Sequence, residues 1–111
     1  MNKDLFILLI IYLACVVFAG LLWTEPYLLA LVYLITSLFM FLKWHTKNDI
    51  FYYFSAFLLG PVGEVVAIYF GAWEYSKPLF LIPIWLPPLW GIASLFMIKF
   101  SQIIIETNFK K

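Results

Sequence analysis

Long apolar stretches separated by short polar breaks make up nearly the whole chain. A helix needs about 20 mostly apolar residues to cross a bilayer. The pattern predicts four such helices, at residues 5–23, 27–42, 50–70 and 87–107, with an outer interfacial loop at 71–86. The first three helices are joined by short breaks, so neighbouring helices should pack antiparallel in a single domain. The predicted fold class is therefore all-α, a polytopic membrane protein whose four transmembrane helices form one bundle.

The start of the fourth helix is open between two alternatives. In the first, the helix begins near Pro87, because proline lacks the amide that the first turn leaves unbonded anyway. In the second, the helix begins near Leu79 and runs to Ile98 with prolines inside it, and a helical tail follows from Ser101 to Phe109. We favour the first alternative because each proline inside a helix removes a hydrogen bond and crowds the preceding turn.

The composition indicates a membrane protein. Hydrophobic residues make up 66% of the chain and charged residues 12%, which leaves too few polar groups to cover a soluble domain. The net charge of +1 gives no field that would recruit nucleic acid, so no nucleic-acid partner is expected. All seven basic residues are lysine, and the lack of arginine argues against a nucleotide site. The expected partners are the lipid bilayer and either a second copy of the chain or another membrane protein.

The lysines predict the orientation of the chain in the membrane. Those that fall on one side of a four-span protein are Lys3, Lys43, Lys47, Lys110 and Lys111. Lys77 falls on the opposite side. Because lysine is enriched on the cytoplasmic side of membrane proteins, both termini should be cytoplasmic. We expect a multi-pass protein of the inner (plasma) membrane.

The third apolar stretch contains an acid, Glu64, beside a proline and two glycines. Pro61 cannot donate to the carbonyl of Phe57, so a kink with a free carbonyl is expected, and this part of the helix should face protein rather than lipid. Small residues at a spacing of four allow another helix to approach closely. The predicted helix-contact face consists of Gly60, Gly63, Ala67 and Gly71.

Glu64 is the candidate catalytic residue, because an acid inside a membrane is a functional hypothesis by default. Its role is open between a structural hydrogen-bonding group and a working acid. It is either neutral and bonded to the carbonyl freed by Pro61, or charged and paired with Lys99 of the fourth helix, whose side chain points outward toward it. Otherwise, Lys99 extends its ammonium to the cytoplasmic headgroups.

The predicted outer loop and the start of the fourth helix are rich in aromatic residues. Rings next to charged groups can form a pocket for a lipid or isoprenoid, with the rings against the tail and the charges at a polar head. The alternative is a proline-stiffened loop that lies in the interface. The candidate binding residues are Trp73, Glu74, Tyr75, Trp85, Trp90 and Lys99.

No metal site and no cofactor are expected. His45 is the only histidine of the chain, and it has no cysteine or acidic partner beside it that would complete a metal site. The sequence also contains nothing that resembles a phosphate-binding loop, a zinc motif or a serine triad.

Three short motifs carry a resemblance: Gly60-x-x-x-Glu64, Gly71-x-Trp73-x-Tyr75 and Pro83-x-Trp85-Leu86-x-x-x-Trp90. Together they resemble a signature of small bacterial and archaeal membrane proteins that have four spans, an acid in the penultimate span and a proline–tryptophan stretch opening the last. The resemblance covers residues 60–91, less than a third of the chain. It implies the fold, and that family has no activity to carry over.

An acid in a helix followed by a glycine–aromatic stretch is also similar to membrane enzymes of carotenoid biosynthesis, the hydratase and the small-subunit lycopene cyclases. Those enzymes act on isoprenoid double bonds with carboxylic acids, which implies that Glu64 is the acid here. The cyclases carry paired acids, whereas Glu64 is alone in the predicted third helix, and this difference puts cyclase activity in doubt. In size alone, the chain resembles small multidrug-resistance transporters.

Three functions are consistent with these observations. The first is a small structural or lipid-interacting membrane subunit that uses its glycine face for helix contacts. The second is a membrane enzyme that acts on a lipid or isoprenoid with Glu64 as general acid. The third is a small proton-coupled transporter in which Glu64 exchanges a proton for substrate. An enzyme pocket should open toward lipid near Trp73 and Trp85, whereas a transporter needs water access from both sides.

Overall fold

The computed structural model describes residues 3–44, 46–75, 78 and 81–109. These residues form four helices and no strand: α1 (Lys3–Leu22), α2 (Pro26–Trp44), α3 (Asp49–Tyr69) and α4 (Leu86–Phe109). Each helix is long and apolar enough to cross a membrane. The predicted all-α class, with four helices of membrane-spanning length, is confirmed. Four such helices are compatible with a multi-pass membrane protein.

Helix α4 lies at the centre of the bundle. It packs against the other three helices, and its most extensive contact is with α3. The buried core includes residues of all four helices: Leu8, Ile11, Leu29, Tyr33, Met40, Tyr53, Ile92 and Leu95. The outward faces carry many exposed leucine, isoleucine, valine and phenylalanine side chains. Apolar surface of this extent is typical of a face that contacts lipid.

Hydroxyl groups connect the helices inside this core. The Tyr33 hydroxyl donates to the carbonyl of Cys15 at 2.8 Å and joins α2 to α1. The Ser37 hydroxyl donates to the carbonyl of Tyr33 at 2.7 Å, and its bond of 2.6 Å with the Tyr53 hydroxyl joins α2 to α3. Lipid offers no hydrogen-bond partners, so these internal bonds are what allow the hydroxyls to lie between apolar helices.

The contact between α3 and α4 depends on two glycines. A Cβ atom built on Gly91 would overlap the ring of Tyr53, and one built on Gly60 would overlap the indole of Trp90. Each ring therefore lies directly against the backbone of the opposite helix. Gly60 lies nine residues before the end of α3, whereas Trp90 lies only four residues after the start of α4. At 1.5 Å per residue, the contact of Gly60 with Trp90 puts the start of α4 about 7.5 Å deeper in the bundle than the end of α3, and the contact of Tyr53 with Gly91 puts it about 16 Å deeper.

The stretch that leads into α4 packs inside the bundle because α4 begins deep. Pro83 is fully buried. Trp85 lies edge-on to Tyr33 of α2, with ring centroids 6.2 Å apart. The predicted outer loop 71–86 therefore returns between the helices over its last residues instead of lying in the interface throughout. Irregular backbone at this depth is tolerated where protein surrounds it.

Helix α4 begins at Leu86, with Pro87 and Pro88 in its first turn. Proline fits there because the first amides of a helix have no partner within the helix. The alternative start near Leu79 requires residues 81–85 to be helical, and they are not, so that alternative is wrong. Leu79 itself lies outside the described residues.

Gly71 ends α3. Its φ angle of 89° lies in the left-handed region, which glycine adopts without steric penalty. The amide of Ala72 donates to the carbonyl of Ala67 at 3.0 Å, and the amide of Gly71 donates to the carbonyl of Ile68 at 2.9 Å. This pair of bonds is a Schellman motif, a common helix terminus. Gly71 therefore terminates the helix, which corrects its assignment to the helix-contact face.

Candidate functional site

Glu64 is the centre of a polar site between α3, α4 and the segment that joins them. Its side chain is partly buried. The Tyr75 hydroxyl donates to Oε1 of Glu64, and the indole Nε1–H of Trp90 donates to Oε2 at 2.5 Å. Each carboxyl oxygen thus accepts a hydrogen bond from a different aromatic side chain. The sequence leaves two other partners open as alternatives, Lys99 and the carbonyl freed by Pro61, and the structure shows these two aromatic donors instead.

The local sequence explains why these three side chains meet. The turn at Gly71 reverses the chain after α3 and brings Tyr75 back beside the helix. Trp90 lies about one turn into α4, and the missing side chain of Gly60 allows its indole to lie against α3. Glu64 lies one helical turn beyond Gly60, on the same face, so its carboxylate reaches the edge of that indole.

Both donors keep their protons. An indole N–H is a hydrogen-bond donor only. Burial raises the pKa of the Tyr75 phenol, and its hydrogen bond with Glu64 raises that pKa further, so Tyr75 remains a protonated donor. An ionised carboxylate accepts hydrogen bonds and donates none. Two donors on opposite oxygens therefore suit a carboxylate, and bonds of this charge-assisted kind are roughly twice as strong as neutral ones.

A groove of about 550 Å³ lies beside Glu64, between α3 and α4. It extends along α3 as far as Tyr52, twelve residues before Glu64, which corresponds to about 18 Å of helix. Its wall is mostly apolar and includes Leu59, whose side chain is 71% exposed. A Cβ atom built on Gly63 meets no atom within 4 Å, so the groove is open at this point.

A second groove, of about 490 Å³, adjoins the first. Its lining includes Trp73, Glu74 and Tyr75 from the segment after α3. Trp73 lines both grooves and so marks their boundary. The structure thus brings Trp73, Tyr75 and Trp90 to the Glu64 site, and Glu74 to the adjoining groove. Trp85 supports the site from inside the bundle, since its ring packs edge-on against Tyr75 at 6.0 Å.

The four small residues of the predicted helix-contact face have different surroundings in the described chain. Gly60 lies against Trp90 of α4, whereas Gly63 borders the open groove. Ala67 is partly buried. Gly71 ends the helix, as described above. Of these four residues, only Gly60 therefore acts as a site of close helix contact.

The alternative in which Glu64 pairs with Lys99 is wrong, because Lys99 binds a different acid. The Lys99 ammonium is 3.1 and 3.0 Å from the two carboxylate oxygens of Asp49, the first residue of α3. Asp49 precedes Glu64 by fifteen residues, which is about 22 Å along the helix. The pair is within reach when the depths of Glu64 and Lys99 are counted from the outer ends of α3 and α4. That count assumes that the two ends lie at the same level. Because α4 begins deeper than α3 ends, its register brings Lys99 to the start of α3.

Lys99 and Asp49 form a buried polar cluster that the sequence reasoning missed. They are only 7% and 3% exposed, so the predicted extension of the Lys99 ammonium to the headgroups is wrong as well. The ammonium also donates to Oγ1 of Thr46 at 3.3 Å and lies 5.4 Å from the ring centre of Trp44. The one sequence signal for this cluster is that Asp49 directly precedes the third apolar stretch.

Among the described residues, no three histidine, cysteine, aspartate or glutamate side chains lie close enough together to hold a metal ion. His45 and Lys77 lie outside the described residues.

The fold and the site together define a small all-α protein with four helices of membrane-spanning length and a carboxylate beside a lateral groove. Comparison of the chain with protein-family models, curated proteins and solved structures gives no match. The resemblance of residues 60–91 to small bacterial and archaeal membrane proteins therefore stays a prediction.

Proposed function

We propose that this protein is a small membrane subunit that binds a lipid-like amphiphile from the bilayer, in the groove between α3 and α4. The observation that carries the proposal is the shape and chemistry of that groove. Its volume of about 550 Å³ is within the range of small-molecule sites. Its wall is apolar and open, and it has one carboxylate, Glu64, held in place by two donors. An amphiphile fits this groove with its apolar tail along the wall and its polar head at Glu64.

Both alternative functions need a proton on Glu64. A general acid has to deliver that proton to its substrate, and a proton-coupled transporter has to exchange it. Here both carboxyl oxygens accept hydrogen bonds from groups that retain their own protons, Tyr75 and Trp90. The arrangement favours a carboxylate that orients a ligand over an acid that protonates one. Isoprenoid chemistry and proton-coupled transport therefore rank behind amphiphile binding.

The same proposal includes a location and an orientation. We place the protein in the plasma membrane with both termini cytoplasmic. The lysine distribution supports this, because Lys3, Lys43 and Lys47 lie at one end of the bundle, where Lys43 forms an ion pair of 3.8 Å with Asp4. Glu64 is near the other end of α3, so the Glu64 end of the first groove and the adjoining groove lie in the outer half of the bilayer.

Filling the groove at Gly63 should displace the amphiphile without harming the fold. A Cβ atom there meets nothing within 4 Å, so the leucine of Gly63→Leu extends into open space. Losing about two methylene contacts, each worth about 0.8 kcal/mol, lowers the affinity about tenfold. Native mass spectrometry of protein extracted in mild detergent measures the lipid that stays bound. We expect wild type to retain lipid and Gly63→Leu to lose most of it.

Gly20→Leu is the matched control for this experiment. Gly20 is an exposed glycine of α1 whose Cβ position is equally empty, and α1 contributes no residue to the lining of the groove. This variant gains the same apolar surface and the same helix propensity. It should retain lipid as wild type does. Equal lipid retention in wild type, Gly63→Leu and Gly20→Leu would refute the proposed function.

A further inference from the structure

The negative charge of Glu64 in the groove limits which head groups the bound amphiphile can carry. Among the described residues that line the groove, Glu64 carries the only carboxyl group. The described lysines that form ion pairs do so elsewhere, Lys43 with Asp4 and Lys99 with Asp49, and no described lysine pairs with Glu64. Two hydrogen bonds offset only part of the cost of holding a carboxylate among apolar side chains. A site of this kind attracts a cation and repels an anion.

Aromatic rings lie next to this carboxylate. Tyr52, Trp73 and Trp90 line the same groove, and Trp73 and Trp90 are 47% and 37% exposed. The indole of Trp90 lies against Gly60 of α3 and binds Glu64 through its N–H edge, and its exposed part remains open to a ligand in the groove. The face of an aromatic ring attracts organic cations, and rings combined with a carboxylate are the usual means of binding ammonium groups.

We propose that the ligand of this groove carries an organic cation as its head group, an ammonium or a quaternary ammonium, held between Glu64 and the rings of Trp73 and Trp90. This inference rests on the proposed amphiphile binding and adds the charge of the ligand to it. The apolar tail then lies along α3 toward Tyr52. The adjoining groove carries Glu74, so both grooves that meet at Trp73 present a carboxylate to the approaching cation.

The test compares three probes with the same twelve-carbon tail: dodecyltrimethylammonium, dodecanol and dodecyl sulfate. The protein is held in uncharged maltoside micelles, and tryptophan fluorescence follows the titration. Wild type should bind dodecyltrimethylammonium about tenfold more tightly than dodecanol, and dodecyl sulfate most weakly. In Glu64→Gln the cationic and neutral probes should bind equally, because the amide side chain can still bond Trp90 and Tyr75 but has no charge.

Two further variants test whether other charged residues cause the preference for the cationic probe. Glu25→Gln removes an exposed acid from the turn between α1 and α2 and should leave the tenfold preference intact. Lys77→Met tests the lysine of the connecting segment, and it too should leave the preference unchanged. A cation preference that appears only after Lys77 is removed would mean that Lys77 neutralises Glu64, and the inference would fall.

The outcomes distinguish a failure of the cationic head group from a failure of amphiphile binding. Equal binding of dodecanol and dodecyltrimethylammonium by wild type refutes the cationic head group and leaves amphiphile binding standing. Failure of both probes to bind refutes both. Displacement of the bound cation by dihexanoyl phosphatidylcholine would assign the ammonium to a lipid head group. Resistance to displacement would assign it to a free amphiphile, and either result supports a cation site.

Discussion

Replacing Lys99 with methionine should lower the free energy of unfolding by about 3–5 kcal/mol, because it leaves the buried carboxylate of Asp49 without its counter-charge. Asp49 is 3% exposed, and both of its oxygens lie within 3.1 Å of the Lys99 ammonium. The only other polar side chain at that ammonium among the described residues is Thr46. Reversible unfolding in mixed micelles of dodecyl maltoside and dodecyl sulfate, followed by circular dichroism, measures the loss.

A double variant separates the charge from the packing. Asp49→Leu together with Lys99→Met removes both charges and fills the space with apolar atoms, which is often neutral or stabilising. We expect it to recover most of the stability that either single change loses. Lys43→Met is the exposed control, because Lys43 and Asp4 are 39% and 43% exposed, and exposed pairs contribute about 0–1 kcal/mol. If the double variant is as unstable as Lys99→Met, side-chain packing explains the loss and the ion pair does not.

Adding one methyl group at Gly60 should disrupt the Glu64 site. The new Cβ atom of Gly60→Ala overlaps the indole of Trp90, so the ring has to move away from α3 and its N–H leaves Glu64. Overpacking of this kind destabilises by about 1–3 kcal/mol, and the higher helix propensity of alanine returns at most about 1 kcal/mol. We expect a net loss of stability and loss of the bound lipid by the mass-spectrometric measurement.

Gly63→Ala is the matched control for Gly60→Ala. It lies three residues away on the same helix, and its Cβ position is empty, so it should stabilise the protein by about 0.5–1 kcal/mol. A Trp90→Leu background supplies the second comparison. There the ring is absent, and Gly60→Ala should no longer destabilise. A Gly60→Ala protein that matches Gly63→Ala in stability and lipid retention would show that the indole does not rest on α3.

The fold was predictable because a bilayer imposes a strong constraint. Only apolar stretches of about 20 residues can cross it as helices, and the chain has four of them. The start of α4 was predictable from Pro87, since proline is tolerated in a first turn and not farther inside. The register between α3 and α4 was not predictable. It depends on which rings lie against Gly60 and Gly91, and any glycine in the chain offers such a place.

The residues of the site were predictable from the sequence, whereas the hydrogen bonds between them were less so. Glu64 was identified because an acid inside an apolar stretch is unusual. The nearby aromatic residues were identified because rings next to charged groups can form a binding pocket. Their pairing depends on the turn at Gly71, which brings Tyr75 back to the helix. Lys99 was assigned to this site because its depth was counted from the helix ends. The register that moves it to Asp49 is a property of packing, which the spacing of charges along one chain does not reveal.

The most direct test of the account is the indole proton of Trp90, observed by nuclear magnetic resonance in protein labelled with ¹⁵N-tryptophan and assigned with Trp90→Phe. With its N–H bound to Glu64, Trp90 should give a resonance well downfield of a free indole N–H, protected from exchange with water and shifted by Glu64→Gln. That result would establish the carboxylate–indole bond on which the groove, its ligand and the role of Gly60 depend. A Trp90 resonance at the free-indole position, exchanging with water and indifferent to Glu64→Gln, would contradict it.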